Sequence, residues 1–308
     1  MRLLISLIVL LSTWTGVASV IPTELTQTVV FIYKGAECSA AQAEGTGFLM
    51  AMPTPDGKRS WAYLVTAKHV VHTDSNNFES PLFDSLWIRI NTKTGGSKIY
   101  KVDLVAAGDK QDVFINEDAS VDIAVVPLTI SATDMPELEL KVLPEQMLAS
   151  TSDLKTLNIG VGTDMFFTGM FTGFLGEKKS YPIVRFGKLA MIPDEKIQFA
   201  GQWTEGYLME AFSFGGNSGS PVFFYPSADN TPGIISVGSP SIKIAGVMKG
   251  FFNDFEQIQL LQNQAAVPGG PPIPVSTGNA GVALIVPAKF ISEILHSPAL
   301  EALRKKNP

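Results

Sequence analysis

Short apolar runs, separated by Gly, Pro, Asn or Asp, recur along most of the chain. Leu86–Asn91 (LWIRIN) alternates apolar and polar residues, which is the pattern of a half-buried β-strand. The strands predicted for the first half are Thr28–Tyr33, Gly47–Met52, Ala62–Thr66, Leu86–Asn91, Ile99–Val105 and Asp122–Pro127. Those predicted for the second half are Leu157–Val161, Met165–Thr168, Ile183–Ile192, Tyr207–Ala211, Pro221–Phe224, Ile244–Lys249 and Val282–Val286.

Helical periodicity is scarce until the C-terminal end of the chain. After Pro287, one helical face is formed by Phe290, Ile291, Ile294 and Leu295. Two sets of about six strands followed by a short helix predict an all-β fold of two six-stranded antiparallel β-barrels. The predicted parts are an N-terminal barrel in residues 25–145, a C-terminal barrel in residues 150–287 and a helix in residues 288–305.

Composition and charge narrow the class of partner. The chain has 308 residues, of which 45% are hydrophobic and 17% charged, so it can form a substantial core. Its net charge of −6 provides no basic field, and a nucleic-acid partner is not expected.

The N-terminus has the order of a secretory signal: one Arg, an apolar run, and small residues at Val17–Ser19. Polar residues and a glycine interrupt the run between Ser12 and Gly16, which makes it short for a spanning helix, although an uncleaved anchor is the alternative. We therefore expect residues 1–19 to be a signal peptide. The mature chain would be exported to the periplasm or the extracellular space and would have no membrane span.

The single cysteine, Cys38, excludes an internal disulfide. It lies in the loop-like stretch KGAECSAAQ with no recognisable cysteine motif around it, so we interpret it as a free structural or surface residue whose role stays open. The sequence contains no Cys/His cluster, no H-E-x-x-H motif and no nucleotide-binding Gly-rich loop. Neither a metal nor a cofactor is expected.

Candidate chemistry is concentrated in Ser213–Phe224 (SFGGNSGSPVFF). Glycines on both sides of Ser218 allow a tight turn, in which the N–H groups of Gly216 and Ser218 could converge on a developing oxyanion. Ser220 is followed by Pro221 and is expected to open the next strand.

A nucleophilic serine needs a base, and histidine is the best base at neutral pH. His69 ends an apolar strand in LVTAKHVV, whereas His72 precedes a polar loop and His296 falls on the terminal helix. Asp122 in SVDIAVVPL directly precedes an apolar run, where a carboxylate is costly unless it has a partner. Its competitors for the role of orienting carboxylate are Glu117 and Asp118.

The order His69, Asp122, Ser218 is that of the chymotrypsin class. Four segments, GTGFLM, LVTAKHVV, VDIAVVPL and GGNSGSPVF, resemble the landmarks of trypsin-like serine peptidases. The resemblance is strongest to the bacterial disulfide-free branch of the high-temperature-requirement proteases and glutamyl endopeptidases, here without a PDZ domain. IAGVMKG resembles the strand beside bound substrate, and GVALIVPAKFISEIL resembles the last strand and helix.

This resemblance implies a role for each matching position. Ser218 would be the nucleophile, His69 the general base and acid, and Asp122 the orienting carboxylate. The N–H groups of Gly216 and Ser218 would form the oxyanion hole. The implied fold is chymotrypsin-like, and the implied activity is an endopeptidase that works through an acyl-enzyme on polypeptide substrates.

The expected specificity departs from that of the named relatives. Phe212 stands where trypsin carries an acid, and IAGVMKGFF lacks the histidine of the glutamyl endopeptidases. The predicted wall of the primary pocket consists of Phe212, Met248, Lys249 and Phe251. We expect cleavage after small or medium apolar residues, or after acidic residues if the Lys249 side chain points inward.

There are two other interpretations, and the residues disfavour the first of them. An α/β-hydrolase elbow needs G-x-S-x-G and a histidine after the serine, but Ser220 takes the final position and His296 is the only later histidine. A catalytically inactive peptidase fold used as a binding module is the alternative from a different class. The oligomeric state is left open.

Overall fold

The computed structural model describes residues 21–106, 110–226, 241–257 and 275–306. The signal peptide predicted for residues 1–19 lies outside these ranges. Within them, no helix is long and apolar enough to span a membrane. The helices are short: α1 (Thr23–Thr26), α2 (Lys68–Val71), α3 (Thr151–Thr156), α4 (Lys289–Leu295) and α5 (Pro298–Lys306), with 3₁₀ turns at Ala40–Gln42 and Glu145–Met147.

The first half of the chain forms a curled sheet of eight strands. Its strands, together with the separate two-stranded ribbon β6–β7, are β1 (Val29–Tyr33), β2 (Ala43–Pro53), β3 (Ser60–Thr66), β4 (Ser85–Asn91), β5 (Ser97–Asp103), β6 (Val105–Ala106), β7 (Lys110–Gln111), β8 (Phe114–Ile115), β9 (Ala124–Leu128) and β10 (Leu143–Pro144). The order is β5-β4-β1-β2-β3-β9-β8, and β10 pairs in parallel with β2. The two-residue strands β8 and β10 add to the six predicted ones because runs this short carry no periodic pattern.

The second half forms a closed six-stranded antiparallel barrel in the order β11-β12-β15-β18-β17-β16. The barrel strands and the separate hairpin β13–β14 are β11 (Asp164–Gly169), β12 (Ile183–Met191), β13 (Ile197–Phe199), β14 (Gln202–Thr204), β15 (Tyr207–Glu210), β16 (Pro221–Phe224), β17 (Lys243–Gln257) and β18 (Val275–Pro287). The predicted all-β class, with a six-stranded C-terminal barrel and a helical end, is confirmed. In place of the six-stranded barrel predicted for the first half, the structure has the curled half-barrel sheet of eight strands.

Two local predictions were wrong, and the residues that begin helices explain both errors. The segment Leu157–Val161 is not a strand, because α3 precedes it and Asn158 takes a left-handed φ of +50°. The Ser150 hydroxyl accepts from the N–H of Asp153, whose carboxylate accepts from the Ser150 N–H, and this capping box starts α3. The single helix predicted at 288–305 is two helices, since Pro298 begins a new one.

Apolar residues fill both halves and their junction. One cluster packs the inner face of the first sheet against barrel residues such as Phe166 and Phe223 and against α4 through Ile291 and Leu295. A second cluster fills the barrel, with Met248 among its fully buried members. Helix α4 follows the barrel in the chain, but it packs back onto the first sheet and closes the core there.

Polar contacts also join the two halves. The buried Arg89 on β4 donates hydrogen bonds to the Ser180 hydroxyl at 3.0 Å and to the Gly176 carbonyl at 3.0 Å. Asn91, also on β4, exchanges two hydrogen bonds of 2.8 Å with the main chain of Ser180. The loop between β11 and β12 is thereby tied to the first sheet.

Candidate active site

The structure places His69 and Asp122 side by side at adjacent strand ends. Thr66, the last residue of β3, pairs with Ala124, the first residue of β9. His69 lies in α2, just beyond β3, and its Nδ1 is 2.8 Å from Oδ2 of Asp122. The backbone N–H of His69 donates to the other carboxylate oxygen, Oδ1, at 2.9 Å. Both the ring and the main chain of His69 are therefore held by one carboxylate.

Asp122 is fully buried, yet it is ionised at neutral pH. Burial raises the pKa of its carboxyl, but the charge and side-chain hydrogen bond of His69, the charge of Lys249 and the His69 backbone N–H together lower this pKa to about 2. A carboxylate can only accept hydrogen bonds, so His69 Nδ1 is the donor and Nε2 is the nitrogen left to take a proton.

The competing acids lie elsewhere. Asp118 forms an ion pair with Lys196 at 2.9 Å, with both side chains 45% exposed, and Glu117 is exposed to solvent. Neither makes the contacts with His69 that Asp122 makes. Of these three acids, Asp122 is the one that precedes the apolar run and the one that contacts His69.

The loop that carries Ser218, between β15 and β16, is shaped by Thr46 on β2. The buried Thr46 hydroxyl donates to the Gly216 carbonyl at 2.7 Å, and the Thr46 N–H donates to the Ser218 carbonyl at 2.8 Å. Gly219 has a φ of +86°, and a Cβ there would lie 2.0 Å from the Thr46 carbonyl oxygen. Only glycine fits this approach, so the loop rests directly on the first sheet.

The Ser218 hydroxyl donates to the carbonyl oxygen of Lys249 at 3.1 Å. Among the hydrogen bonds of the described residues, none joins this hydroxyl to His69 Nε2. Within the same part of the chain, the N–H groups of Gly216 and Ser218 have no hydrogen-bond acceptor. The serine loop thus presents two free backbone donors and a hydroxyl that is engaged with the neighbouring strand.

A β-bulge decides the direction of the Lys249 side chain. In the β17–β18 ladder, Met248 pairs with Ile285 and Gly250 pairs with Leu284, so Lys249 is an extra residue that breaks the alternation. Its Nζ lies 3.9 Å from Oδ2 of Asp122, and the side chain is 5% exposed. Lys249 therefore faces the histidine–carboxylate pair.

This placement corrects part of the expected pocket wall. Met248 is fully buried in the barrel core and offers no surface to a substrate, and Lys249 is directed toward Asp122. Phe212 is 59% exposed and Phe251 is half-buried, so these two aromatic residues keep accessible surface. The acidic specificity that an inward-pointing Lys249 would provide loses its basis.

The remaining histidines and the cysteine lie outside this arrangement. His72 is buried, and its Nδ1 lies 2.7 Å from the Ser80 carbonyl oxygen. His296 ends α4 and pairs with Glu145. Cys38 is buried, which makes it a structural and not a surface cysteine. No group of three or more His, Cys, Asp or Glu side chains that could hold a metal occurs in the described ranges.

Sequence reasoning did not identify the contributions of Thr46 and of the Lys249 side chain. The available signals were a hydroxyl between Gly45 and Gly47 just before the apolar run of β2, and a lysine inside the apolar run of β17. Each becomes informative only when the facing element is known.

Neither a protein-family model nor a curated protein matches the chain in sequence. Similar solved structures include the MamO protease domain from Magnetospirillum magneticum in its apo form, at 14% identity, covering 89% of this chain and 98% of that one, with a TM-score of 0.48. Rv3671c from M. tuberculosis H37Rv, in an inactive form, is 14% identical over 91% of this chain and 89% of that one, with a TM-score of 0.42. Human heparin binding protein is 8% identical over 90% and 95%, with a TM-score of 0.44. At such low sequence identities the similarity concerns the backbone fold, and it does not assign a role to any residue.

Proposed function

We propose that the chain is an exported serine endopeptidase that hydrolyses peptide bonds through an acyl-enzyme. The observation that carries the proposal is the 2.8 Å contact between His69 Nδ1 and the buried carboxylate of Asp122. In the proposed reaction, Ser218 Oγ attacks the peptide carbonyl carbon while His69 Nε2 takes the hydroxyl proton. His69 then gives this proton to the leaving amine, and Asp122 stabilises the imidazolium between the two transfers.

The N–H groups of Gly216 and Ser218 are the proposed donors to the oxyanion. Their loop is held against β2 by the hydrogen bonds of Thr46, so the donors need little reorganisation when negative charge develops. Removal of one such donor typically costs about 10²–10³ in turnover.

Attack requires the Ser218 hydroxyl to leave the Lys249 carbonyl and bond to His69 Nε2. Catalytic hydrogen bonds are often absent or long without substrate and tighten when substrate binds, which fits the arrangement observed. The same hydrogen bond favours one second candidate: a peptidase fold that binds polypeptides without cleaving them.

The proposed specificity is cleavage after small or medium apolar residues. Phe212 and Phe251 supply aromatic surface without a carboxylate, so a Lys or Arg side chain would have no counter-charge there. Export is proposed from the sequence of residues 1–19 alone, with the periplasm or the extracellular space as the site of action.

A fluorophosphonate probe, which reacts with activated serine hydroxyls, tests the function. We expect the purified protein to be labelled, Ser218→Ala to lose labelling, and Ser220→Ala to keep it. Ser220 is a matched control in the same loop because its side chain is fully buried. A folded protein that neither reacts nor cleaves a peptide library would refute the peptidase and leave the binding module.

A further inference from the structure

Lys249 connects the two sides of the candidate site. Its carbonyl accepts from the Ser218 hydroxyl, and its side chain reaches Asp122 from the strand that the Ser218 loop contacts. The ammonium and the His69 ring approach the same carboxylate oxygen, Oδ2 of Asp122, at 3.9 Å and 2.8 Å. Three ionisable groups therefore meet at one buried oxygen.

The surroundings of Lys249 are unusual for a cation. Its Nζ is buried and has no hydrogen-bond partner among the described residues. It lies 5.4 Å from the ring centroid of Phe78 and 5.9 Å from that of Phe199, beside a cavity of about 150 Å³. Burial lowers the pKa of Lys249 and the charge of Asp122 raises it. Burial is the larger of the two effects, and the charge of Asp122 offsets part of it.

A second buried lysine accompanies it. Lys68, next to His69 in α2, donates to the Ala119 carbonyl at 2.8 Å and lies 4.3 Å from the Phe78 ring centroid. The charged groups that act on Lys68 are Asp122, Lys249 and Asp118. Lys68 has a carbonyl partner of its own, whereas the ammonium of Lys249 has only the carboxylate and the rings.

We propose that Lys249 is a positioning residue of this site: its ammonium holds Asp122 as the carboxylate and opposes protonation of His69, so the imidazole stays available as a base in more acidic solution. This inference rests on the proposed function. Asp122 attracts a proton to His69 and Lys249 repels it, and the balance of the two sets the pH at which the base becomes competent.

The size of the effect follows from the two distances. Both distances end on Oδ2 of Asp122, so Nζ of Lys249 and Nδ1 of His69 lie within about 7 Å of each other. At that separation and an effective dielectric constant of about 20, two unit charges shift an ionisation by about one to two pH units. Replacement of Lys249 by the unbranched, uncharged Met is therefore expected to move the acidic midpoint of kcat/KM upward by about one pH unit.

The experiment compares pH profiles of kcat/KM for the parent, Lys249→Met, Lys249→Gln and Lys249→Arg. Both neutral variants are expected to shift the midpoint upward, and the Arg variant, which keeps the charge, to restore it. Lys68→Met is the matched control, a buried lysine bonded elsewhere, and is expected to shift the midpoint less. An unchanged midpoint in the neutral variants, or an equal shift in Lys68→Met, would overturn the proposal.

Two NMR measurements separate this inference from the proposed function. In the Ser218→Ala background, which has no turnover, Lys249→Met is expected to shift the ring titration of His69 upward by the same amount. The His69 signal is assigned by comparison with His69→Gln. In the protein with Lys249 intact, the Cε chemical shift of that lysine is expected to report a charged amine from pH 5 to pH 8. A neutral amine across this range overturns the inference even if no variant folds. If the parent protein shows no peptidase activity but the His69 titration still shifts, only the proposed peptidase is refuted.

Discussion

Replacement of Asp122 by Asn should lower the stability of the protein by an amount that depends on pH in a defined way. The folded-state pKa of Asp122 is about 2, compared with an ordinary value of 3.8. The carboxylate therefore contributes stability that is fully present above about pH 4 and is lost as the pH falls toward 2. The difference in pKa corresponds to about 2 kcal/mol at neutral pH, which already includes the interaction with the charge of Lys249.

The assay is urea unfolding of Ser218→Ala and of Ser218→Ala/Asp122→Asn, a background that prevents self-cleavage. We expect the double variant to be less stable at pH 7 by about 2 kcal/mol or more, and the difference to shrink by about 1 kcal/mol between pH 5 and pH 3.

Asp118→Asn in the same background is the matched control. The pKa of Asp118 is also lowered to about 2, first by its hydrogen bond from Lys196, but its side chain is 45% exposed. Solvent screens this pair, so its loss is expected to cost less than about 1 kcal/mol. If the Asp122 difference were the same at pH 5 and pH 3, or no larger than that of Asp118, the buried pair would not be the cause.

Three further predictions concern the serine loop and its base. Gly219→Ala should destabilise the fold by about 2 kcal/mol or more, because its Cβ would meet the Thr46 carbonyl at a left-handed φ. Gly57→Ala, which has a positive φ but open space around it, should cost about 1 kcal/mol, and equal losses in urea unfolding would contradict this. Thr46→Val should lower kcat with little change in KM, since the Gly216 carbonyl loses its partner at a cost of about 1–3 kcal/mol, and unaltered kinetics would show that the loop holds its own shape. His69→Ala should reduce peptide turnover on the order of 10⁴-fold or more, and retention of a tenth of the activity would remove His69 from the base role.

The strand pattern predicted most of the fold because apolar runs bounded by turn residues are local signals. Pro221–Phe224 is reproduced residue for residue, and β17 and β18 extend beyond their predicted ends. The mistaken strand at Leu157–Val161 arose because the capping box at Ser150 was overlooked. That signal is also local and could have been read.

The sequence indicated which residues would lie in the candidate site, but it did not indicate the orientation of every side chain. His69 and Asp122 were selected by their positions next to apolar strands, and the structure brings them into contact. The orientation of Lys249 could not be predicted, because the bulge beside Gly250 depends on pairing with β18 and reverses the alternation on which sequence reasoning relies. The role of Thr46 depends on a loop far along the chain, which no local pattern reveals.

The contacts of Thr46 with the Ser218 loop have a consequence for biosynthesis. β2, which carries Thr46, precedes that loop in the chain, and β17, which carries Lys249, follows it. A nascent chain that ends before β17 therefore lacks the acceptor of the Ser218 hydroxyl and the counter-charge of Asp122. Under the proposed function, the site is complete only when the second barrel has closed on the first sheet.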